Sequence, residues 1–221
     1  MRVVLLHGLA RTGWAMRPLA RALERDGHET HVVGYASRSA PLRHLAGEVS
    51  DALLRLGLAT GGEDVGFVAH SMGGLVVRAL GLVVPGFSCG RSVVVACPMR
   101  GSLLASRLGA SGAMRLAFGP ALSDLTPEAV AALPAMPGPY GAIAGDTWSP
   151  LGPGAFFVRA WAPGRASDST VLVDETRAED AADHVVVRGV HGLLPASARV
   201  HDLVRVFLRE GSFRSADRPA P

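Results

Sequence analysis

Apolar residues occur along this chain in short, nearly continuous runs that are separated by longer segments with helical periodicity. The short runs are rich in Val, Leu, Ile and Ala and do not alternate regularly with polar residues. This pattern is typical of strands that are buried on both faces of a parallel sheet. It predicts strands over residues 3–6, 30–34, 65–69, 92–96, 140–144 and 184–187.

Four longer segments predict helices: "WAMRPLARALERDG" (14–27), "PLRHLAGEVSDALLRLG" (41–57), the segment after Ser71, and "PASARVHDLVRVFLREG" (195–211). Each quoted segment ends in Gly, the residue expected just past a helix. Strands that alternate with helices favour a three-layer, doubly wound and mostly parallel sheet of about six strands. Ligands of such sheets bind at the carboxyl ends of the strands.

The domain organisation follows from length and spacing. A chain of 221 residues is most simply one domain, which we place at residues 1–210, followed by a flexible tail over residues 211–221. Two connections, 98–139 and 146–183, exceed the usual loop length. We expect them to carry function or small helices of their own.

Composition excludes several classes of protein. Hydrophobic residues make up 48% and charged residues 19% of the chain, which excludes global disorder. All 22 basic residues are Arg, but they are scattered and the net charge is +3, so we expect no nucleic-acid partner. The apolar runs predict neither a signal peptide nor a transmembrane segment, and therefore a cytoplasmic protein. Cys89 and Cys97 match no metal site, and Cys97 is expected to be a buried free thiol.

The stretch "GFVAHSMGGLVV" (66–77) places Ser71 between a predicted strand and a predicted helix. A sharp turn here would present the hydroxyl above the sheet, the arrangement called a nucleophile elbow. Gly73 and Gly74 suit a turn that packs tightly against its neighbours. Because Ser is also a favoured helix cap, the pattern Ala-x-Ser-x-Gly alone leaves a structural interpretation open.

A nucleophilic serine needs a base, an orienting acid and an oxyanion hole. The first strand ends in "LLHGLAR", and its His-Gly turn can direct a backbone N–H toward the elbow. We therefore expect the backbone N–H groups of Leu9 and Met72 to form the oxyanion hole. His7 is expected to shape this loop.

His191, in "VVVRGVHGLLP", is the predicted base, because it lies directly after the last predicted strand. Asp168, in "RASDSTVLVDET", is the preferred acid, since a flexible stretch precedes it and a β-like run follows. Asp146, at the end of the preceding strand, is the alternative, and Asp174 is a further one.

The two long connections carry the apolar residues that could line an acyl pocket, although helices need such residues simply to pack. Leu104, Phe118 and Trp148 are the candidate substrate-binding residues. An apolar mouth would favour acyl esters over sugars or phosphates. The chemistry of such a serine requires no metal and no organic cofactor.

These motifs resemble those of small bacterial α/β-hydrolases, specifically the compact, Bacillus-type serine lipases and esterases. The "HGL" motif (7–9) resembles their oxyanion loop, and "AHSMGG" (69–74) is similar to their Ala-x-Ser-x-Gly elbow. The segment "CPMRGS" (97–102) looks like a Thr-Pro-x-x-Gly-Ser segment of many lipases, with Cys97 in place of Thr. The order Ser, Asp, His also matches this family. The resemblance covers roughly residues 3–208. It implies a sheet without the two leading strands of the full fold.

The resemblance implies a minimal α/β-hydrolase fold with little or no lid. It also implies a carboxylic ester hydrolase that acts on small acyl-ester or lipid-like substrates through an acyl-enzyme, with Ser71, His191 and Asp168 as the triad. The family includes thioesterases, acyltransferases and a few non-catalytic members, so these functions are the alternatives.

Overall fold

The computed structural model describes residues 1–58, 61–152 and 154–214. The strands in these ranges are β1 (Arg2–Leu6), β2 (Glu29–Val33), β3 (Gly61–Gly62), β4 (Val65–His70), β5 (Ser88–Cys89), β6 (Ser92–Val95), β7 (Tyr140–Gly145) and β8 (Asp183–Val187). The α-helices are α1 (Arg17–Arg25), α2 (Leu42–Arg55), α3 (Met72–Leu80), α4 (Leu103–Leu108), α5 (Gly112–Phe118), α6 (Pro127–Ala131), α7 (Ala155–Trp161) and α8 (Ala198–Glu210). Short 3-10 helices cover Gly13–Met16, Pro120–Leu125, Val173–Thr176 and His191–Ala196.

Six of the strands form one sheet in the order β2-β1-β4-β6-β7-β8, and every neighbouring pair in it is parallel. The short strands β3 and β5 form a separate parallel pair. The predicted doubly wound sheet is confirmed, and the predicted strand bounds differ from the observed ones by no more than one residue at either end.

Helices cover both faces of the sheet, with α1 and α8 on one side and α2 and α3 on the other. Successive residues of β1 alternate between the two cores: Val3 and Leu5 pack on the side of α1 and α8, and Val4 and Leu6 on the opposite side. All four side chains are fully buried. This two-sided burial explains why the strands read as continuous apolar runs in the sequence.

Short helices occupy the connection that follows β6, beyond the carboxyl edge of the sheet. Ser102, Ser111 and Thr126 directly precede α4, α5 and α6, and each side chain accepts a hydrogen bond from a backbone N–H three residues further on. These are normal N-cap interactions. Helix α5 contains no fully buried residue, but its partly buried Met114 and Phe118 pack against the core on the side of α2 and α3.

The C-terminal end of the described chain packs against the domain. The carboxylate of Asp183 accepts hydrogen bonds from the Ser212 hydroxyl and the Phe213 N–H, both at 2.8 Å. Phe213 is buried, and its ring lies 5.0 Å from that of Phe207. Packing thus continues past residue 210, where the predicted tail begins, and residues 215–221 of that tail lie outside the described residues.

The helices of the described residues were also compared with the length and apolarity that a membrane span requires. None of these helices is both long enough and apolar enough to cross a bilayer.

Candidate active site

Ser71 occupies the turn between β4 and α3 with φ 54° and ψ −129°, a conformation that side-chain-bearing residues rarely adopt. Its N–H donates to the Val95 carbonyl at the end of β6, at 2.8 Å. Gly73 allows the close packing of this turn, since a Cβ there would lie 2.8 Å from the His7 carbonyl oxygen. The Ser71 side chain does not cap α3, which contradicts the simple capping interpretation.

Three side chains from three separate loops form a continuous chain of hydrogen bonds. His191 Nε2 lies 3.0 Å from Ser71 Oγ, and His191 Nδ1 lies 2.7 Å from Asp168 Oδ2. A carboxylate accepts the Nδ1–H, so the neutral ring presents an unprotonated Nε2 that can accept the serine O–H. Asp168 is 1% exposed and His191 is 7% exposed. Water therefore competes little for these hydrogen bonds.

The Asp168 carboxylate is held by its own loop. Its Oδ1 accepts the N–H groups of Thr170 at 3.0 Å and Val171 at 2.8 Å, the pattern of an Asx turn. Its backbone carbonyl accepts the N–H of His191 at 2.9 Å. Gly145, the last residue of β7, makes room for this arrangement, because a Cβ there would lie 2.9 Å from Asp168 Cβ.

The alternative acids lie away from this chain of hydrogen bonds. Asp146 is exposed, and its carboxylate accepts a hydrogen bond from the Thr147 hydroxyl at 3.3 Å. Asp174 is also exposed and pairs with Arg165 at 3.2 Å. The acid that contacts His191 is Asp168, the preferred one of the three.

His70 supports His191 from the opposite side. Its Nε2–H donates to the His191 carbonyl at 3.0 Å, and the two ring centroids lie 4.8 Å apart. Complete burial and, to a lesser degree, the nearby His191 hold the pKa of His70 well below its usual range. The neutral ring therefore adds no positive charge that would oppose protonation of His191. The sequence analysis did not predict this contact, because the direction in which the His70 side chain leaves the end of β4 depends on packing against the loop of His191.

The His-Gly turn after β1 lies directly against the serine. A Cβ on Gly8 would lie only 2.9 Å from Ser71 Cβ, so glycine is required at this close approach. His7 stacks on Tyr35 with ring centroids 4.3 Å apart, and its Nδ1–H donates to the Gly8 carbonyl at 2.9 Å. Burial lowers the pKa of His7, so this ring is a neutral support for the loop.

Leu9 and Met72, the predicted oxyanion donors, flank this contact. Leu9 follows Gly8, and Met72 is the first residue of α3. Neither backbone N–H donates a hydrogen bond to another group in the described part of the chain. The first N–H groups of a helix lack internal partners and carry its positive dipole end, which suits them to an oxyanion.

A cavity of about 510 Å³ opens at Ser71 and His191. Its wall is largely apolar, and most of its large apolar side chains come from the helices that follow β6. The predicted Leu104 and Phe118 belong to this wall. The apolar side chains that line it include Leu104, Leu108, Met114, Phe118, Leu122, Leu125 and Phe157.

Trp148, the third predicted substrate-binding residue, does not line this cavity. Its indole N–H donates to the Ala155 carbonyl at 3.4 Å, and the guanidinium of Arg159 lies 5.0 Å from its ring. Phe157, from the same connection, lines the cavity instead. The sequence offers several aromatic residues here, and only the orientation of α7 decides which of them faces the serine.

Glu175, which the sequence analysis did not select, connects two walls of the site. Its buried carboxylate accepts the N–H of Leu103 at 2.6 Å and the N–H of Leu172 at 2.9 Å. Leu103 begins α4, which contributes Leu104 to the cavity, and Leu172 follows the loop of the acid. Burial raises the pKa of this carboxyl group. The contact with Leu172 is local, but no sequence pattern indicates the contact with Leu103, which lies 72 positions away.

Residues 3–221 match the sequence profile that describes the alpha/beta hydrolase family. The chain belongs to the α/β-hydrolase family. The resemblance based on "HGL" and "AHSMGG" is thus confirmed. A search of curated proteins found no match to this hydrolase-family chain.

Solved structures with a similar fold include lipases, esterases and a thioesterase. The mature lipase BlEst2 of Bacillus licheniformis superposes with a TM-score of 0.71 at 16% identity, over 94% of this chain and 90% of that one. The metagenomic carboxyl esterase MGS0156 gives 0.69 at 21% identity, over 98% and 72%. The RedJ thioesterase of the prodiginine pathway in Streptomyces coelicolor gives 0.58 at 20% identity, over 95% and 90%. At these identities the likeness shows the fold alone.

Proposed function

We propose that this chain is a serine hydrolase that cleaves acyl esters through a covalent acyl-enzyme. One observation carries the proposal: the strained Ser71 is hydrogen-bonded to His191. The other ring nitrogen of His191 is hydrogen-bonded to the buried Asp168. A base that orients toward a serine and is itself oriented by a carboxylate is the arrangement that activates a hydroxyl. The apolar cavity supports an acyl group as the part of the substrate that enters it.

In the first step, Ser71 Oγ attacks the ester carbonyl while His191 Nε2 takes the hydroxyl proton. The N–H groups of Leu9 and Met72 stabilise the negative charge that develops on the carbonyl oxygen. Asp168 holds the tautomer of His191 and stabilises the positive ring. His191 then gives the proton to the departing alcohol, which leaves an acyl-enzyme on Ser71.

In the second step, water attacks the carbonyl carbon of the acyl-enzyme while His191 accepts one of its protons. His191 then gives this proton to Ser71 Oγ as the bond between the acyl group and the serine breaks, and the carboxylic acid leaves. The hydrogen bond from His70 to the His191 carbonyl keeps the ring between serine and acid during both transfers. An acyltransferase would use the same residues but pass the acyl group to an acceptor other than water. The assays below therefore contain water as the one acyl acceptor.

Labelling with a fluorophosphonate tests the proposal directly. The reagent phosphonylates activated serines with loss of fluoride, and the adduct is detected by intact-mass spectrometry. We expect one adduct on the wild-type protein, located on Ser71, and none on Ser71→Ala. Ser102→Ala is the matched control, because Ser102 also lines the cavity but has no base beside it; this variant should still be labelled.

Hydrolysis of p-nitrophenyl butyrate should follow the same pattern across the three proteins. A folded wild-type protein that neither reacts with the reagent nor hydrolyses the ester would refute the proposed function. An adduct that persists on Ser71→Ala would refute the assignment of the nucleophile.

Shortening a side chain of the cavity wall should change the preferred acyl length. We expect Phe118→Ala to shift kcat/KM toward longer chains in a homologous series of p-nitrophenyl esters, because it lengthens the apolar space available. Leu116→Ala is the control on the same helix, since Leu116 is 86% exposed and does not line the cavity. Equal chain-length profiles for Phe118→Ala and the wild type would show that the acyl group binds elsewhere.

A further inference from the structure

Arg11 is the one residue with a permanently charged side chain among the described residues that line the cavity. The lining contains no Asp or Glu, so no opposite charge from the wall offsets this guanidinium. Within the described ranges its side chain has no hydrogen-bond or ion-pair partner. The cavity therefore combines an apolar wall with a single free positive charge.

The position of Arg11 relative to the base is defined by Gly192. A Cβ on Gly192 would lie 2.0 Å from Nη2 of Arg11 and 3.2 Å from its Cζ, so the guanidinium occupies the space that a side chain would fill. Gly192 directly follows His191. The charge of Arg11 is also close enough to act, after burial and His191, as a further cause of the lowered pKa of His70. The guanidinium thus lies on the side of the cavity formed by the base.

The proposed reaction defines which part of the substrate lies on this side of the cavity. His191 returns the serine proton to the leaving group, so the leaving group has to lie beside the imidazole. The acyl group points instead toward the apolar wall that α4 and α5 supply. Arg11 therefore faces the leaving group of the substrate rather than its acyl chain.

We propose that Arg11 recognises an anionic group, a phosphate or a carboxylate, on the leaving group of the acyl substrate. Arg suits this role because its planar N–H groups can bind two oxygens of such an anion together, while its charge remains fixed at any physiological pH. This inference rests on the proposed function and narrows its substrate class. The anion can belong to a phospholipid headgroup or to a phosphate-bearing thiol carrier, and the experiment below separates these sources.

The side chain of Arg11 can be changed without loss of the turn that holds it. The backbone N–H of Arg11 donates to the Gly8 carbonyl at 3.3 Å, a contact that Arg11→Gln retains. Arg55→Gln is the matched control. Arg55 is the last residue of α2, is exposed and does not line the cavity, so this substitution removes the same charge at a distant site.

The experiment compares kcat/KM for pairs of substrates that differ in the anion alone. The general pair is 4-carboxyphenyl butyrate and 4-carbamoylphenyl butyrate. The carrier pair is butyryl-4′-phosphopantetheine and butyryl-pantetheine, and the lipid pair is monobutyryl glycerol 3-phosphate and monobutyryl glycerol. For each pair, the ratio of kcat/KM for the anionic member to that for the neutral member is compared between the wild type and each variant. This comparison cancels differences in the intrinsic reactivity of the two substrates.

We expect Arg11→Gln to lower the ratio of kcat/KM between the anionic and the neutral member of the general pair by about tenfold, the scale of one charge-assisted hydrogen bond. Arg55→Gln should not change this ratio. Dependence on Arg11 in the carrier pair assigns the anion to a thiol carrier, and dependence in the lipid pair assigns it to a headgroup.

Equal losses for anionic and neutral substrates in Arg11→Gln would overturn the inference, since Arg11 would then support the loop alone. Unchanged ratios in all three pairs would overturn it as well. In both cases turnover of neutral esters by the wild type would persist, so the proposed function would stand. No turnover of any ester by folded wild-type protein would overturn both proposals.

Discussion

Replacement of Asp168 by Asn is expected to lower kcat for a neutral ester by about 10⁴-fold, the loss typical of a wrong histidine tautomer. Asn can keep its Oδ1 on the N–H groups of Thr170 and Val171, which Asp168 Oδ1 accepts now. Its amide NH₂ then faces His191 Nδ1. A donor at this position holds the imidazole proton on Nε2, where it prevents acceptance of the serine O–H.

Steady-state hydrolysis of p-nitrophenyl butyrate measures this effect, with thermal unfolding as the check that the variant is folded. Asp146→Asn is the matched control, because Asp146 is exposed and its carboxylate is hydrogen-bonded to the neighbouring Thr147 hydroxyl and not to His191. We expect it to retain full activity. A large loss in Asp146→Asn together with an active Asp168→Asn would reverse the assignment of the acid.

The second large effect concerns the packing of the elbow. A Cβ on Gly73 would lie 2.8 Å from the His7 carbonyl oxygen and 2.9 Å from that of Leu6, and neither backbone group can move freely at the end of β1. Gly73→Ala should therefore lower the free energy of unfolding by about 1–3 kcal/mol, the usual cost of overpacking. It should also lower kcat, because the His-Gly turn and α3 are pushed apart.

Gly47→Ala provides a control of opposite sign. Gly47 lies inside α2, and nothing lies within 4 Å of the Cβ that it would gain. Because Ala has the higher helix propensity, this variant should raise the free energy of unfolding by about 0.5–1 kcal/mol. Urea unfolding of both variants measures these changes. Equal stability of Gly73→Ala and the wild type would show that β1 and α3 do not need their close approach.

Much of the fold could be predicted because the signals are local. Strands that are buried on both faces need apolar residues at every position, so β4 and β6 are visible as continuous runs. The Ser71 turn is also local, since a strand, one residue and a helix with glycines leave few conformations. His191 follows the last strand of the sheet, and the topology of a parallel sheet brings that position to the serine.

Other parts of the site depend on contacts between distant segments. The preference for Asp168 over Asp146 rested on the flanking sequence, while its placement depends on Gly145 and on backbone N–H groups of its own loop. The burial of Phe213, which packs against Phe207 of α8, also depends on the tertiary structure.

The sequence by itself determined the positions of the six strands of the main sheet, the strand–turn–helix at Ser71 and the location of His191 directly after the last strand. These follow from periodicity and from adjacency along the backbone, which a sequence records directly. Only the tertiary structure decided that Trp148 lies off the cavity and that Arg11 lies against Gly192 beside the base. Which side of a short helix or loop faces the site depends on packing against the rest of the fold, and no local pattern encodes that orientation.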